Sequence, residues 1–329
     1  MSNERRPWLS WLLGAAVFGV VVIVVLRFSD AQEFLRLLQR IEPGWLLAAA
    51  LAQAATYYCE TQVWRGVSVA AGTAIAFRTA YQLSVAKLFV DQAVPTGGLS
   101  GTLVYVEGLR RAGIERRVAF SGVVVDAFSY YCAYAICVAV ALVVAASQDS
   151  LNGPLAAIAT VFAMLSTAFA LAVLMQFGLQ RGPLRSALER LRPIGRALKI
   201  LQEIDPKLAH NPRVLLRACL WQIGIQLLDA LSLWLLLLAL GAWVDLHSVF
   251  TSYMFSALFR TLSFSPGGLG TFEAAAVMIL RSSGVPIETA FAATVLFRGL
   301  NFWLPMLPGM WCARRVMRSE GPFAASRNE

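Results

Sequence analysis

Eight charged side chains stand in or beside long apolar stretches: Lys87, Asp91, Glu107, Asp126, Asp229, Arg260, Glu273 and Arg298. Charges at such places are costly in a membrane and usually functional. Arg260 and Arg298 flank the stretch SPGGLGTFEA, 265–274, and suit an anionic group. Glu273 or Asp229 would balance them. Asp91, Glu107, Asp126, Asp229 and Glu273 are the candidates for coupling to a gradient or for balancing charge. A structural ion pair is the plainer use of any one of them. As a set they favour a polar cavity, with Gln53, Glu60, Gln222 and Gln226 as further lining.

The second chemical feature is the backbone. Proline with paired glycines breaks a helix, and the chain does this twice, at VPTGG (94–98) and SPGG (265–268). A helix that starts after such a break leaves its first N–H groups unpaired. Those donors and the positive end of the dipole form an anion site. Gly97, Gly98, Gly267, Gly268 and Gly270 present no side chain to block a ligand, and Ser100, Thr102 and Thr271 add hydroxyls. Phosphate or carboxylate is the matching ligand. A tight turn whose donors are met by water or side chains fits the same residues, and the two readings are compatible.

Other chemistries lack their residues. The histidines are His210 and His247, and the five cysteines form no CxxC pair. No metal site, catalytic triad or nucleotide-binding motif is visible, so the reading is a non-enzyme with no cofactor.

The elements that must position these groups are apolar helices. The chain has 329 residues, 58% of them hydrophobic and 14% charged, with mean hydropathy +0.64. Runs of about 18 or more apolar residues reach across a bilayer core. Six clear spans are expected at 8–26, 44–64, 118–146, 154–177, 214–241 and 288–313. Two interrupted regions lie at 79–109 and 248–282. The formal charge of +9 reads as positive-inside bias and not as a nucleic-acid partner. Lys and Arg concentrate at 65–78, 110–117, 178–213 and in the tail, which places these segments and both termini in the cytoplasm. Each interrupted region then returns to the side it entered from, the first inside and the second outside. Trp8, Trp11, Trp45, Trp64, Trp243 and Trp311 lie near span ends and read as interfacial anchors.

The interrupted regions also match each other. Each has an apolar arm, a Gly-Gly-Leu break and a second arm ending in arginine (Arg110, Arg281). A Gly turn follows (Gly113, Gly284), then an Ala-Phe entry into a full span, at a spacing of about 170 residues. The expected fold is an all-α polytopic membrane protein, six spans plus two oppositely oriented broken-helix hairpins forming an inverted repeat. Residues 1–329 read as one integral membrane domain. The first repeat is 79–146, the basic cytoplasmic loop 178–213, and the second, inverted repeat 248–316.

The SPGGLGTFEAA stretch, with its weaker earlier copy VPTGGLSG, resembles the flippase-like family of the transmembrane region of lysylphosphatidylglycerol synthases. Pro266, Gly267, Gly268, Leu269, Gly270 and Glu273 carry the pattern; in the first copy Glu107 comes later. The resemblance covers roughly 8–316. It implies movement or handling of lipids and does not choose among lipid, hopanoid and lipid-linked sugar pathways. The arginines and helix N-termini favour an anionic phospholipid or lipid-linked phosphate, and the composition a bacterial-type inner membrane. The chain ends soon after its last span, so a stand-alone form without the aminoacyl-transferase domain is expected. A secondary transporter of a small soluble anion and a non-transporting subunit of a lipid-synthesis pathway are the alternatives.

Overall fold

The computed structural model describes residues 41–93, 99–147, 204–263 and 266–317, with residue 39 and scattered positions from 157 to 168. The expected span 8–26, most of 154–177, the first break at 94–98 and most of the basic loop 178–213 lie outside the described residues.

Among the described residues the regular structure is entirely helical. The elements are α1 (Pro43–Ala70), α2 (Phe77–Ala93), α3 (Leu99–Arg111), α4 (Arg116–Ser147), the short α5 (Pro206–Ala209) and α6 (Pro212–Ala239). They continue with α7 (Leu246–Leu262), a 3-10 turn at Pro266–Gly268, α8 (Thr271–Ser282), α9 (Ile287–Arg298), a π-helical turn at Gly299–Trp303 and α10 (Leu304–Met317). Local chemistry sets the ends. Proline opens α1, α5 and α6 at the first helical position, where its missing N–H has no intrahelical partner to lose. The Asn211 side chain caps α6 by accepting from the Arg213 N–H.

The matched glycines behave alike. Gly113 and Gly284 end α3 and α8 with φ of 86° and 88°. In both, the next residue's N–H folds back to a carbonyl in the helix, Ile114 to Leu109 and Val285 to Leu280, each at 3.1 Å.

α4, α6 and the unit Ile287–Val316 are long and apolar enough to cross a membrane. α1 is as long as α6 but is diluted by Gln53, Glu60, Gln62 and Arg65. α1 and α6 pack along their length. Ser232 Oγ donates to the Ala49 carbonyl at 3.2 Å, while Gln222, further back on α6, meets Glu60, further on along α1. The two helices are therefore antiparallel. Small residues at the seam, such as Ala49, Ala52 and Gly224 against Cys59, let the backbones approach.

Two apolar cores cap the bundle. One joins Val63, Trp64, Leu83, Tyr105, Leu109, Val118, Val214 and Val316. It gathers the end of α1, the start of α2, the end of α3, and the starts of α4 and α6. Arg78, Arg110, Arg111, Arg116, Arg117 and Arg213 belong to these same helix ends. The other core joins Ala49, Ala141, Leu236, Val249, Leu280 and Ala290, gathering the opposite ends of α1, α4 and α6 with the start of α7, the end of α8 and the start of α9. Contacts pair off in a regular way: α1 with α2 and α6 with α7, α3 with α4 and α8 with α9, α4 with α7 and α10 with α2.

Candidate functional site

A polar stripe runs along the α1–α6 seam between the two cores. α1 contributes Gln53, Thr56 and Glu60 at helical spacing, and α6 contributes Gln222, Gln226 and Asp229. Two polar centres form on it, about 10 Å apart by the helical rise over seven residues.

The first centre surrounds Lys87 of α2. Its Nζ lies 2.8 Å from Glu60, 3.4 Å from Asp126 of α4 and 4.0 Å from Asp91 one turn along α2. Gln222 Nε2 donates to Glu60 at 3.3 Å and to Asp126 at 3.0 Å, and Trp64 Nε1 donates to Glu60 at 3.2 Å. Asp91 Oδ1 accepts from the Gly101 N–H at 2.9 Å in the first turn of α3. The helix that follows the first break thus already faces a carboxylate of its own hairpin. Three carboxylates share one ammonium here.

The second centre is Asp229 of α6. It accepts from the Tyr253 hydroxyl at 2.7 Å, Gln53 Nε2 at 3.0 Å and Asn301 Nδ2 at 3.2 Å. Asn301 sits in the π turn for a local reason. The Leu304 N–H bonds back to Gly299, five residues away, and Pro305 has no N–H to give. The Asn301 carbonyl, four residues before Pro305, loses that helical donor and accepts from Gln92 Nε2 of α2 at 3.2 Å.

The second break is locked by a buried ion pair. Arg298 Nε lies 2.7 Å from Glu273, and both are almost fully buried. The other Glu273 oxygen accepts the Gly270 N–H at 2.7 Å, and Arg298 Nη2 donates to the Gly267 carbonyl at 2.9 Å. The guanidinium lies over Phe302, 4.5 Å from its centroid, and near Phe272 at 5.6 Å. Gly267 and Gly268 have positive φ, and a Cβ at either would collide with Phe302 or Arg260 respectively. The space beside these glycines is filled by the protein's own side chains. Thr271 Oγ1 bonds back to the Gly268 carbonyl.

The sequence-predicted residues therefore separate into groups. Asp91 and Asp126 meet at the Lys87 centre, joined by Glu60 and Gln222. Glu273, Arg298, Gly267, Gly268, Gly270 and Thr271 meet at the second break. Asp229 forms its own centre with Gln53. Arg260 stands beside the break, 6.0 Å from the Phe272 centroid, with no ion-pair partner among the described residues. Glu107 joins none of these; it pairs with Arg110 and Arg111 at the basic end, at 2.9 and 3.1 Å. Ser100 and Thr102 lie in the first turn of α3, each with a partner, while Gly97 and Gly98 lie outside the described residues. Trp64 corrects an expectation: it is no interfacial anchor but is fully buried, stacked on Tyr105 at 4.1 Å and bonded to Glu60. Trp45, Trp243 and Trp311 are exposed. Tyr253, Gln92 and Asn301 were not legible as site residues, although Pro305 at four residues past Asn301 is a signal for a freed carbonyl. Among the described residues no group of three or more His, Cys, Asp or Glu has the geometry to hold a metal ion.

Comparison with known proteins agrees with the membrane reading. The model of the family described as Lysylphosphatidylglycerol synthase TM region matches residues 11–309. The chain is similar to the UPF0104 membrane protein MJ1595 of Methanocaldococcus jannaschii, 30% identical over 129 residues, 37% of this chain and 38% of that protein. It is also similar to a phosphatidylglycerol lysyltransferase of Staphylococcus haemolyticus, 34% identical over 68 residues, 20% of this chain and 8% of that protein. The matched part is thus well under two thirds of either relative's length.

Proposed function

The chain belongs to the lysylphosphatidylglycerol synthase TM-region family, and on that premise we propose that it moves an anionic, phosphate-bearing lipid across the bilayer. The observation that carries the reading is Arg260. It is a half-buried cation beside the second break, packed on Gly268, with no carboxylate at ion-pair distance among the described residues and Asp229 facing it only at longer range. A cation held that way inside a membrane protein is a receptor for negative charge. Asp91 takes the Gly101 N–H in the first turn of α3 and Glu273 the Gly270 N–H just before α8, so the headgroup meets the Arg260 side chain first. Arg298, Gly267, Gly268, Gly270 and Thr271 hold the second turn in shape around it. Gly97, Gly98 and Ser100 are proposed to meet the same headgroup from the first hairpin. Asp91, Asp126, Asp229 and Glu273 balance charge or couple.

Several features support an inverted repeat. The first hairpin has its open ends in the core at the basic end, the second in the opposite core. The packing partners exchange in pairs when the first set of helices is mapped on the second. α3 and α8 have 13 and 12 residues, about 20 and 18 Å, short of a hydrocarbon core of about 30 Å. Re-entrant hairpins meeting near the midplane fit those lengths, as in transporters built from broken helices. The arginine-rich end is assigned to the cytoplasm, with both termini, in an inner-type membrane. A relative named for lysyl transfer to phosphatidylglycerol points to an anionic phospholipid.

The test is scrambling of fluorescent anionic phospholipids in proteoliposomes. The wild-type protein should accelerate it, and Arg260→Gln should abolish the effect while leaving the melting temperature unchanged. Rates equal to protein-free vesicles for folded wild type, across several anionic lipids, would remove the proposal.

A further inference from the structure

The interior holds more acid than base. Glu60, Asp91, Asp126, Asp229 and Glu273 face Lys87, Arg260 and Arg298 among the described residues, which leaves negative charge to be balanced by protons or bound cations. Glu273 has Arg298, and at the Lys87 centre three carboxylates share one ammonium. Asp229 has no cation within ion-pair distance. It is 5% exposed, forms no ion pair among the described residues, and accepts only from the neutral donors Tyr253, Gln53 and Asn301. The ionisable groups that face it at longer range are Arg260 from α7 and Tyr57 from α1.

A second observation points to a ligand at this place. Gln53 is 3% exposed and Gln92 is 8% exposed, yet the Oε1 of each meets no protein donor. The buried Tyr57 hydroxyl, one turn along α1, lies beside Gln53 without a hydrogen bond of full geometry. These oxygens flank one continuous chain of amides: Gln53 to Asp229, Asn301 to Asp229, and Gln92 to the Asn301 carbonyl. Amide ends exchange by a half-turn. Turned over, Gln53 presents Oε1 to Asp229, which is the arrangement that a proton on the carboxyl or a cation between the two oxygens requires. Carboxylate and carbonyl oxygens are also what hard cations select. The chain ends in a helix discontinuity, the π turn, and broken helices are where coupling ions sit in transporters.

We propose that Asp229, Gln53 and Asn301 hold one exchangeable monovalent cation, a proton or a small alkali ion, and that its loading is linked to lipid movement. The binding site stands on its own geometry; the linkage rests on the translocation reading above.

The test uses the full-length protein in detergent. Thermal unfolding is followed while N-methylglucamine is exchanged for lithium, sodium or potassium at constant ionic strength. Infrared spectra across mildly acid to mildly alkaline pH are searched for a protonated-carboxyl band. An alkali site gives a saturable rise in melting temperature, lost in Asp229→Asn and shifted to about tenfold or more weaker apparent affinity in Gln53→Leu. A proton site gives no alkali effect but a titrating carboxyl band, absent in Asp229→Asn and displaced in Gln53→Leu. If Asp229→Asn does not fold, Gln53→Leu decides, and an unchanged alkali shift with an unchanged band overturns the proposal. A wild type that shows neither signal overturns it as well. Neither readout needs transport. Scrambling that is absent altogether removes the translocation reading and leaves the site. Scrambling that ignores the bound cation removes only the linkage.

Discussion

Glu273→Leu is the sharpest perturbation of the second break. Its carboxylate receives two short bonds, from Arg298 Nε and from the Gly270 N–H, both at 2.7 Å, in a site with essentially no exposure. Removing one partner of a buried pair leaves an uncompensated charge and costs about 3–5 kcal/mol. The stranded Gly270 N–H adds about 1–3 kcal/mol if it finds no new acceptor. At roughly 2 °C per kcal/mol for a chain of this class, the melting temperature in detergent should fall by about 6–10 °C or more. The double variant Glu273→Leu, Arg298→Met removes the stranded charge and puts a thioether against Phe272 and Phe302, where the guanidinium stood. It should recover most of the loss. Size-exclusion after graded heating reads both. A single variant that melts within about 1 °C of wild type, or a double no better than the single, would refute a dry ion pair at the break.

Three further outcomes follow from named contacts. Gly267→Ala places a Cβ at φ 56° and into the Phe302 ring, so it should cost about 1–2 kcal/mol for the backbone alone, and Phe302→Leu should return the steric part of the melting loss. Lys87→Met strands Glu60, Asp91 and Asp126 without their cation and should destabilise by about 3 kcal/mol or more, with Gln222→Leu milder at about 1–3 kcal/mol, both read in the same melts. Gln92→Leu should cost about 1 kcal/mol in the wild type and less in a Pro305→Ala background, where a restored N–H competes for the Asn301 carbonyl; a double-mutant cycle that closes without coupling would sink that account.

Much of the helical framework was legible because its signals are local. The Gly turns after α3 and α8 act within a turn of chain, and the apolar length of α4 and α6 is read within each segment. The expected bounds 118–146 and 214–241 lie within two residues of Arg116–Ser147 and Pro212–Ala239. The site was legible only as residue types. Which carboxylate takes which cation depends on helices far apart in sequence. Arg298 looked like a ligand for an anionic group, and Glu273 from the adjoining hairpin takes its Nε. The glycines of SPGG looked like open approach, yet Phe302 and Arg260 pack where a side chain would stand. Trp64 lies near the end of the expected span 44–64 but inside a helix that runs on to Ala70 and packs into a core. Only the run of chain beyond position 64 could have shown that, and it is too polar to read as span.

The amide contacts of the seam bear on how the molecule can move. Every ion pair described in the membrane interior lies within one set of helices, Lys87 with its carboxylates on α1, α2 and α4, Arg298 with Glu273 on α8 and α9. In the interior the side-chain ties from one set to the other run through Gln53, Gln92 and Gln222, with Ser232 and Tyr134 donating to the Ala49 and Met254 carbonyls, and at the basic end Arg111 donates to the Val316 carbonyl. Each such tie is worth on the order of 1–3 kcal/mol and can be handed to a neighbouring donor or acceptor, whereas parting a buried ion pair costs about 3–5 kcal/mol. On the proposed inverted repeat, the boundary between the two sets is a bearing surface: each keeps its interior ion pairs to itself, and the bolts across the joint are the kind that can be loosened one at a time.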